Sequence, residues 1–290
     1  MRINTNIAAM TAQESATKTN SNLSSSLEKL SSGLRINKAS DDSSGLAIAD
    51  KLRTQASGTG QAISNGNSAI ALTQIADKAM AEQSNILDIV KTKLIQASTA
   101  TTSTAGRVAI SKDVSKLLDQ LDNIASQTNY NGIQLLQASA TGTGTASSQT
   151  FQMGDKAANT ISTGNSVQSN TTGLSLAPLD GLVSAGVTST GGSGITAANA
   201  RTQMLEVDQA IDRLNGWRAD FGSTQNQLES AVRNLSTQQT NIKNAESIIR
   251  DVDYAQESAN FSKQNIVAQA GTYAMSQSNA MQQNVLRLLQ

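Results

Sequence analysis

Residues 207–249, VDQAIDRLNGWRADFGSTQNQLESAVRNLSTQQTNIKNAESII, decide the fold of this chain. Within them an apolar residue recurs every seven positions without a break: Val207, Leu214, Phe221, Leu228, Leu235, Ile242 and Ile249. A sustained seven-residue repeat predicts a long helix that supercoils against partner helices. At 1.5 Å per residue a helix over this stretch would be roughly 65 Å long, far beyond the usual length in globular proteins. The repeat therefore predicts a rod.

Two further stripes upstream have the same spacing. The one in 59–99 is a strict four-three alternation, with small residues first and bulkier ones later: Ala62, Gly66, Ala69, Thr73, Ala76, Met80, Gln83, Leu87, Val90, Leu94 and Ala97. The stripe in 107–128 is shorter: Ile110, Val114, Leu117, Leu121 and Ile124. Together with 207–249 they predict a mainly α protein, with long antiparallel helices that form a coiled-coil rod.

Both ends of the chain also carry helical apolar patterns. The N-terminal pattern comes in two pieces, offset by one heptad position: Ile3, Ile7 and Met10, then Leu23, Leu27, Leu30 and Leu34. The C-terminal pattern contains Phe261, Ile266, Val267, Ala270, Tyr273, Met275, Met281, Val285, Leu286, Leu288 and Leu289. A chain that runs out along a rod and back brings its ends together. Because these ends hold few large apolar residues for their length, we expect them to become helical only when copies of the chain meet.

The middle of the chain, 138–196, differs in kind, because Gly, Ser, Thr and Ala dominate it. Residues 150–155 predict a short strand that enters a turn, and 173–176 predict another extended piece. Asn131-Gly132 is a strong turn signal. We expect a small β-hairpin or irregular tip between the long helices.

The composition argues against catalysis and against several kinds of partner. The chain has no histidine and no cysteine, which removes the commonest general base and the commonest metal ligands. Its 22 basic and 22 acidic residues balance, so nucleic acid is not an expected partner. No apolar run approaches the length that spans a membrane. We expect no catalytic residues, no metal and no cofactor.

Three features could suggest a ligand site, but each has a simpler interpretation. Asp41 and Asp42 lie among Ser and Gly, which favours a turn or helix start over a metal site. The glycines nearby lack the Lys-Ser/Thr ending of a phosphate-binding loop. Trp217 and Tyr254 fall within helical patterns, which favours packing over ligand stacking. The N-terminus lacks the apolar core and cleavage site of a secretory signal peptide.

Motifs in order along the chain resemble those of bacterial flagellins. They cover residues 1–9, 30–37, 41–42, 45–49, 126–132, 251–255 and 283–289. The resemblance extends over about 1–137 and 197–290. It implies a structural subunit that polymerises into the flagellar filament, the propeller of motility. The alternative is a flagellin-like protein of the hook-filament junction, whose N-terminal signature would match less closely. The zinc peptidase found in some flagellins needs histidines, so the resemblance implies no enzyme.

The family resemblance also implies a division of the chain. Residues 1–40 and 254–290 would form an inner coiled-coil domain, and 41–137 and 197–253 an outer helical domain. Residues 138–196 would hold the β-hairpin and a minimal variable segment, either O-glycosylated or a plain solvated loop.

Location and partners follow from the same resemblance. The protein would be extracellular, exported through the flagellar type III apparatus without a cleaved signal peptide. Its partners would be copies of itself, an export chaperone, the filament cap and the hook-junction proteins.

These domains assign two sets of residues. The polymerisation set lies on the inner-domain helices: Ile3, Ile7, Met10, Leu23, Leu27, Leu30, Leu34, Phe261, Ile266, Val267, Val285, Leu286, Leu288 and Leu289. The coiled-coil core set lies on the outer-domain helices: Met80, Leu87, Val90, Leu94, Ile110, Leu117, Leu121, Val207, Leu214, Phe221, Leu228, Leu235, Ile242 and Ile249.

One segment departs from many flagellins in a way that bears on host recognition. It comprises Asp88, Ile89, Val90, Lys91, Thr92, Lys93 and Leu94, and it aligns with the part that Toll-like receptor 5 recognises. Recognised flagellins carry Arg at position 89 and Glu at position 92. Losing both removes charge-assisted contacts, so the chain resembles receptor-evading flagellins and we expect weak or no activation. Ile89 and Val90 could also serve in subunit packing.

Overall fold

A computed structural model describes residues 6–137, 148–164, 167–188 and 195–288. The described residues form six helices and two small antiparallel strand pairs. In chain order they are α1 (Ile7–Ser32), α2 (Ser43–Ser98), α3 (Thr104–Gln127), β1 (Asn129–Tyr130), β2 (Ile133–Gln134), β3 (Thr150–Gln152), β4 (Thr160–Ser162), α4 (Ala177–Thr188), α5 (Ala197–Arg250) and α6 (Tyr254–Leu288). The predicted fold class, mainly α with long helices, is confirmed.

The chain divides into two compact units. One contains Met1–Ser57 with Gln239–Gln290, and the other contains Gly58–Gln238. We call them the terminal unit and the central unit. The division falls inside both α2 and α5, whereas the sequence analysis placed its boundaries near the ends of α1 and α5. Those domain boundaries stay a prediction.

In the central unit, α3 and α5 each run antiparallel to α2, and the three helices share one apolar core. Ion pairs fix their registers, with Lys91 Nζ 2.5 Å from an Asp208 oxygen and Lys93 Nζ 2.9 Å from an Asp113 oxygen. A third joins Arg218 Nε to Asp77 Oδ1 at 3.0 Å. All eleven residues of the stripe in 59–99 are buried. The four-three spacing therefore locates the buried face of α2 over ten turns.

Most of the predicted core residues are buried side chains. Met80, Leu87, Val90, Leu94, Leu121, Val207, Leu214 and Leu228 are fully buried, and Ile110, Phe221 and Ile242 nearly so. Leu117, Leu235 and Ile249 are half-buried. Ile242 and Ile249 lie in the terminal unit, so the seven-residue repeat of α5 supplies both units.

Gln83 is a fully buried polar residue within the apolar stripe of α2. Its Nε2 donates to the backbone oxygen of Leu121 at 3.1 Å and to that of Ser169 at 3.0 Å. Nearby, the carboxylate of Asp122 accepts hydrogen bonds from the backbone N–H and the hydroxyl of Thr171, at 2.7 and 2.8 Å. These bonds hold the segment after β4 against α2 and α3.

The extended piece predicted at 173–176 was wrong. Residues 171–175 form a turn instead, in which the Gly173 N–H donates to Asn170 Oδ1 at 2.9 Å and Ser175 has a φ of 61°. The helix α4 follows, with Pro178 in its first turn, where a missing N–H is tolerated. Leucines at the end of the turn and in α4 are fully buried in the main core, which explains the structure: their burial outweighs the local strand preference.

Two strand pairs lie in the stretch where the sequence predicted a hairpin. β1 and β2 are joined by Asn131-Gly132, whose positive φ angles of 51° and 80° confirm the predicted turn. β3 begins at Thr150, as predicted, and pairs with β4 so that Phe151 faces Ile161. Met153, next after β3, packs with Ala69 and Leu228.

Candidate functional site

The terminal helices α1 and α6 pack against each other in the terminal unit. α1 begins after Asn6, whose side chain accepts a hydrogen bond from the Ala9 N–H at 3.0 Å. It ends at Gly33, which has a φ of 73° and whose N–H donates to the Lys29 oxygen. A left-handed cap of this kind favours glycine. Residues next to each end of α1 thus determine where the helix begins and ends.

The two helices run antiparallel, with small side chains along their distal contact. Ser26 Oγ donates to Glu257 Oε1 at 2.5 Å near the base of the pair. Farther out, a Cβ placed on Gly271 would lie 4.0 Å from the Cβ of Ala16. Residues that are buried or half-buried keep a four-three spacing on both helices: Ala9, Ala12, Ala16, Thr19, Leu23, Ser26 and Leu30 on α1, and Glu257, Phe261, Gln264, Ala268, Gly271, Met275 and Ser278 on α6.

Most large apolar side chains of the distal half, other than Met275, are exposed and not part of this contact. On α1, Ile7 and Met10 are 62% and 63% exposed. On α6, Ile266 and Tyr273, seven residues apart, are 67% and 74% exposed, and Met281 is 60% exposed. The pair therefore leaves apolar faces uncovered on both helices.

The predicted polymerisation residues fall into four groups. Leu23, Leu30, Leu34 and Phe261 are half-buried, whereas Ile7, Met10, Leu27, Ile266 and Val267 are exposed. Ile3 and Leu289 lie outside the described residues. Val285, Leu286 and Leu288 lie in α6, beyond Met281, where the described side chains end.

The pattern of large apolar residues did not indicate the small residues that form the distal contact between α1 and α6. Ala9, Ala12 and Ala16 have the same alternation that located the buried face of α2. A search for the same alternation among alanines, and not only among large apolar residues, would have identified this contact face. On this face the helices approach closely because the side chains are short.

The connectors that lead to the terminal helices are joined to each other through their backbones. Leu34 forms an isolated antiparallel bridge with Asp251. The Arg35 N–H donates to the Arg250 oxygen at 2.6 Å, and the Val252 N–H donates to the Gly33 oxygen at 3.0 Å. We call residues 33–35 with 250–252 the connector bridge.

Asp41 and Asp42 have the turn and helix-start roles that the sequence favoured. Asp41 Oδ2 accepts hydrogen bonds from the backbone N–H groups of Lys38 and Asn37, at 3.0 and 3.1 Å. These bonds hold the pKa of the Asp41 carboxyl below its usual value. Asp42 Oδ1 accepts from the Gly45 N–H at 2.8 Å, at the start of α2.

Residues 88–94, for which the family resemblance predicts altered receptor recognition, lie on α2 in the central unit. Val90 and Leu94 are fully buried, whereas Ile89 is 46% exposed and Thr92 is exposed. The hydrogen bond from Lys91 to Asp208 raises the pKa of the Lys91 ammonium group. Ile89 and Thr92 are thus at the surface of the described structure.

The described residues contain no cluster of three acidic side chains that could hold a metal ion. Within the same residues, no helix is both long and apolar enough to cross a lipid bilayer. What the described surface does offer is uncovered apolar area on the terminal helices. A chain built in this way is a helical structural protein suited to association with copies of itself.

Comparison with known proteins identifies the family. The model of the bacterial flagellin N-terminal helical region matches residues 3–141, and that of the C-terminal helical region matches 204–289. The flagellin of Bacillus subtilis is 38% identical over 304 residues, covering 100% of both chains. The flagellar filament 33 kDa core protein of Treponema phagedenis is 35% identical over 297 residues, again covering 100% of both. The chain belongs to the bacterial flagellin family.

A solved structure shows a related fold. The putative flagellar hook-associated protein from Vibrio parahaemolyticus has a TM-score of 0.59 and 12% identity, covering 72% of this chain and 99% of that chain. At this identity the likeness concerns the fold alone.

Membership of the family defines the function. The protein is a structural subunit of the extracellular flagellar filament and is not an enzyme. The alternative of a hook-filament junction protein is not favoured, because both family models and the curated relatives are flagellins and filament proteins.

Proposed function

We propose that filament subunits join through the large apolar side chains that α1 and α6 turn away from each other. The proposal rests on which side chains the helix pair buries. Mostly small residues form the distal contact between α1 and α6, while Ile7, Met10, Ile266 and Tyr273 stay more than half exposed. Uncovered apolar side chains of this size are favourable in water only when a partner covers them. In a filament subunit the partner is a second copy.

The position of these faces suits an open assembly. Ile7 and Met10 lie on one helix and Ile266 and Tyr273 on another, so a face of one copy can meet a different face of the next. Contacts between unlike surfaces do not saturate in a dimer, and they generate filaments when the rotation does not close a ring. The zero net charge lowers repulsion between packed copies.

The finer assignments from the family resemblance belong to the same proposal. Residues 1–40 and 254–290 act as the inner domain, 41–137 and 197–253 as the outer domain, and 138–196 as the reduced variable segment. The subunit leaves the cell through the flagellar type III apparatus and meets an export chaperone, the filament cap and the hook-junction proteins. The predicted core residues of α2, α3 and α5 hold the outer domain rigid.

A single substitution on α1 tests the role of the terminal helices. Met10→Ser is expected to raise the critical concentration for polymerisation about tenfold, because the uncovered part of a methionine contributes about 1–2 kcal/mol when buried. Sedimentation of polymer from a seeded solution measures that concentration. Met10→Leu, which keeps the apolar surface, should behave like the unaltered protein. Equal critical concentrations for the serine and leucine variants would exclude Met10 from the subunit contact.

The receptor segment leads to a separate prediction. Filament monomers are expected to activate Toll-like receptor 5 weakly or not at all in a reporter-cell assay. The physical reason is the absence of a bidentate Arg at position 89 and of a carboxylate at position 92. Ile89→Arg combined with Thr92→Glu should increase activation, since both positions are exposed and can accept charges without disturbing the core. Full activation by the unaltered protein at ordinary flagellin doses would contradict this prediction.

A further inference from the structure

The sequence contains three Asn-Gly dipeptides, at 65–66, 131–132 and 215–216. Asparagine is a chemically labile residue. When glycine follows it, the glycine nitrogen can attack the asparagine side chain, and the missing Cβ leaves that approach open. The same reactive pair thus occurs at three places in one chain, and the local backbone decides where it reacts.

Two of the three pairs lie in the interior of long helices. Asn65-Gly66 belongs to α2, and Asn215-Gly216 belongs to α5. In an α-helix each interior N–H donates to the carbonyl four residues before it, so the glycine nitrogen is already bonded. A turn in the middle of the helix would have to unfold before this nitrogen could reach the asparagine side chain.

Contacts with other parts of the central unit restrain Asn65 further. Its Nδ2 donates to the Gln152 oxygen at 3.2 Å, and its Oδ1 accepts from Gln61 Nε2 at 3.0 Å. A Cβ built on Gly66 would lie 2.6 Å from Val232 Cγ2, so the glycine is packed closely against α5. Asn65 is therefore protected both by its helix and by its neighbours.

Asn131-Gly132 and Asn215-Gly216 form a matched comparison. All four residues are exposed. A Cβ built on Gly132 or on Gly216 would meet no atom of the described residues within 4 Å. The two pairs thus share sequence and exposure, and they differ chiefly in backbone conformation.

The turn at Asn131-Gly132 is held by very short strands. β1 and β2 have two residues each, and the pair next to the turn is Tyr130 with Ile133. Asn131 and Gly132, with φ angles of 51° and 80°, lie between the strands and outside their register. Opening this turn separates few residues, whereas opening the middle of α5 interrupts a long helix, so the turn opens far more often.

We propose that Asn131 is a site of spontaneous covalent modification, at which the Gly132 nitrogen displaces the side-chain amide. The Gly132 nitrogen loses its proton and bonds to Asn131 Cγ. The Cγ–Nδ2 bond breaks, and Nδ2 leaves as ammonia with that proton, so a five-membered succinimide ring remains. Water then adds to one of the two ring carbonyls and breaks its bond to the ring nitrogen, which leaves aspartate or isoaspartate at position 131.

The modification changes both the charge and the backbone of the hairpin. Each event adds one negative charge to a chain whose formal net charge is zero. Isoaspartate also adds a methylene carbon to the backbone, which a two-residue turn of this type does not accommodate. Because the ammonia is lost and no enzyme takes part, the modified fraction rises with the age of the subunit.

Ageing of the full-length folded protein, followed by peptide mapping with mass spectrometry, tests the proposal. The protein is incubated at mildly alkaline pH, where more of the glycine nitrogen is deprotonated, and conversion of amide to acid is measured at each dipeptide. Asn131 is expected to convert at least about tenfold faster than Asn215 or Asn65, since both helices must open first. Conversion of Asn215 as fast as that of Asn131 would overturn the proposal.

An unfolded sample shows whether the fold causes the difference. In concentrated urea the three dipeptides should convert at similar rates, because the turn and the helices are then absent. If Asn131 still converted about tenfold faster than Asn215 in urea, the flanking sequence would be the cause and the role of the turn would be refuted.

Two matched variants assign the released ammonia to its source. Asn131→Gln keeps an amide but would have to close a larger ring, so most of the ammonia released by the folded protein should disappear. Asn215→Gln makes the same change in α5 and should leave the release unchanged. Undiminished release from the Asn131→Gln variant would contradict the proposal, whatever the change does to the turn.

Discussion

The double variant Ile266→Ser with Tyr273→Ser is expected to raise the critical concentration for polymerisation about a hundredfold. Both side chains are on one face of α6, and two-thirds or more of each is exposed in the single chain. Covering them would contribute about 3 kcal/mol per subunit, and each 1.4 kcal/mol changes an equilibrium constant tenfold. The fold of the monomer should be unaffected, since neither side chain belongs to its core.

Electron microscopy and sedimentation of seeded solutions measure this effect. Leu205→Ser is the matched control, because Leu205 is 64% exposed but lies on the part of α5 that belongs to the central unit. It removes one exposed apolar side chain where the double variant removes two, and it lowers helix propensity slightly, because leucine is a better helix former than serine. If the control impaired growth as much as the double variant, the terminal helices would have no special role.

Gly173→Ala is expected to destabilise the central unit by about 3 kcal/mol or more. A Cβ at this position would overlap the backbone oxygen of Gln168, and backbone cannot move aside as a flexible side chain can. The turn that contains Gly173 would have to open, and the buried side chains of Leu174 and Leu176 would lose their places in the core. Thermal unfolding monitored by circular dichroism should show a lower midpoint.

Gly181→Ala, in the same segment, is expected to have the opposite effect on stability. Gly181 lies in α4, and a Cβ there would meet no atom within 4 Å. Alanine should therefore stabilise α4 by about 0.5–1 kcal/mol through its higher helix propensity. A Gly173→Ala variant as stable as the unaltered protein would show that the turn tolerates a side chain, contrary to the described geometry.

Periodicity was sufficient to locate the buried faces of α2 and α5. The alternation from Ala62 to Ala97 corresponds to buried residues at every position, including the polar Thr73 and Gln83. The seven-residue repeat of α5 likewise marks its buried face, because the same side of a long helix packs against its partners at every turn. In a long repeat, one or two polar residues at apolar positions do not obscure the pattern.

Short elements were harder to predict, because their structure depends on partners distant in sequence. Leu174 and Leu176 alternate as in a strand, but burial against the main core selects a turn and a helix. The distal contact of α1 with α6 was missed for another reason. The large apolar residues Ile7 and Met10 dominate the pattern, whereas the contact is made by alanines. Large apolar side chains on a helix can pack against a neighbouring copy instead of against their own chain.

The connector bridge also constrains the order in which the chain folds. Arg35 of the bridge also donates to the adjacent Ile249, 214 positions away, so an unfolded chain would have to close a very long loop before gaining a single hydrogen bond. The loop is closed already once the start of α2 lies beside the end of α5, where Asp50 pairs with Arg250 and Gln239 donates to the Ala56 oxygen. Residues far apart in the sequence are then already close in space, so the bridge can form without closing a long loop. We expect the bridge to form late in folding, after α2 and α5 have paired, and before the terminal helices are complete.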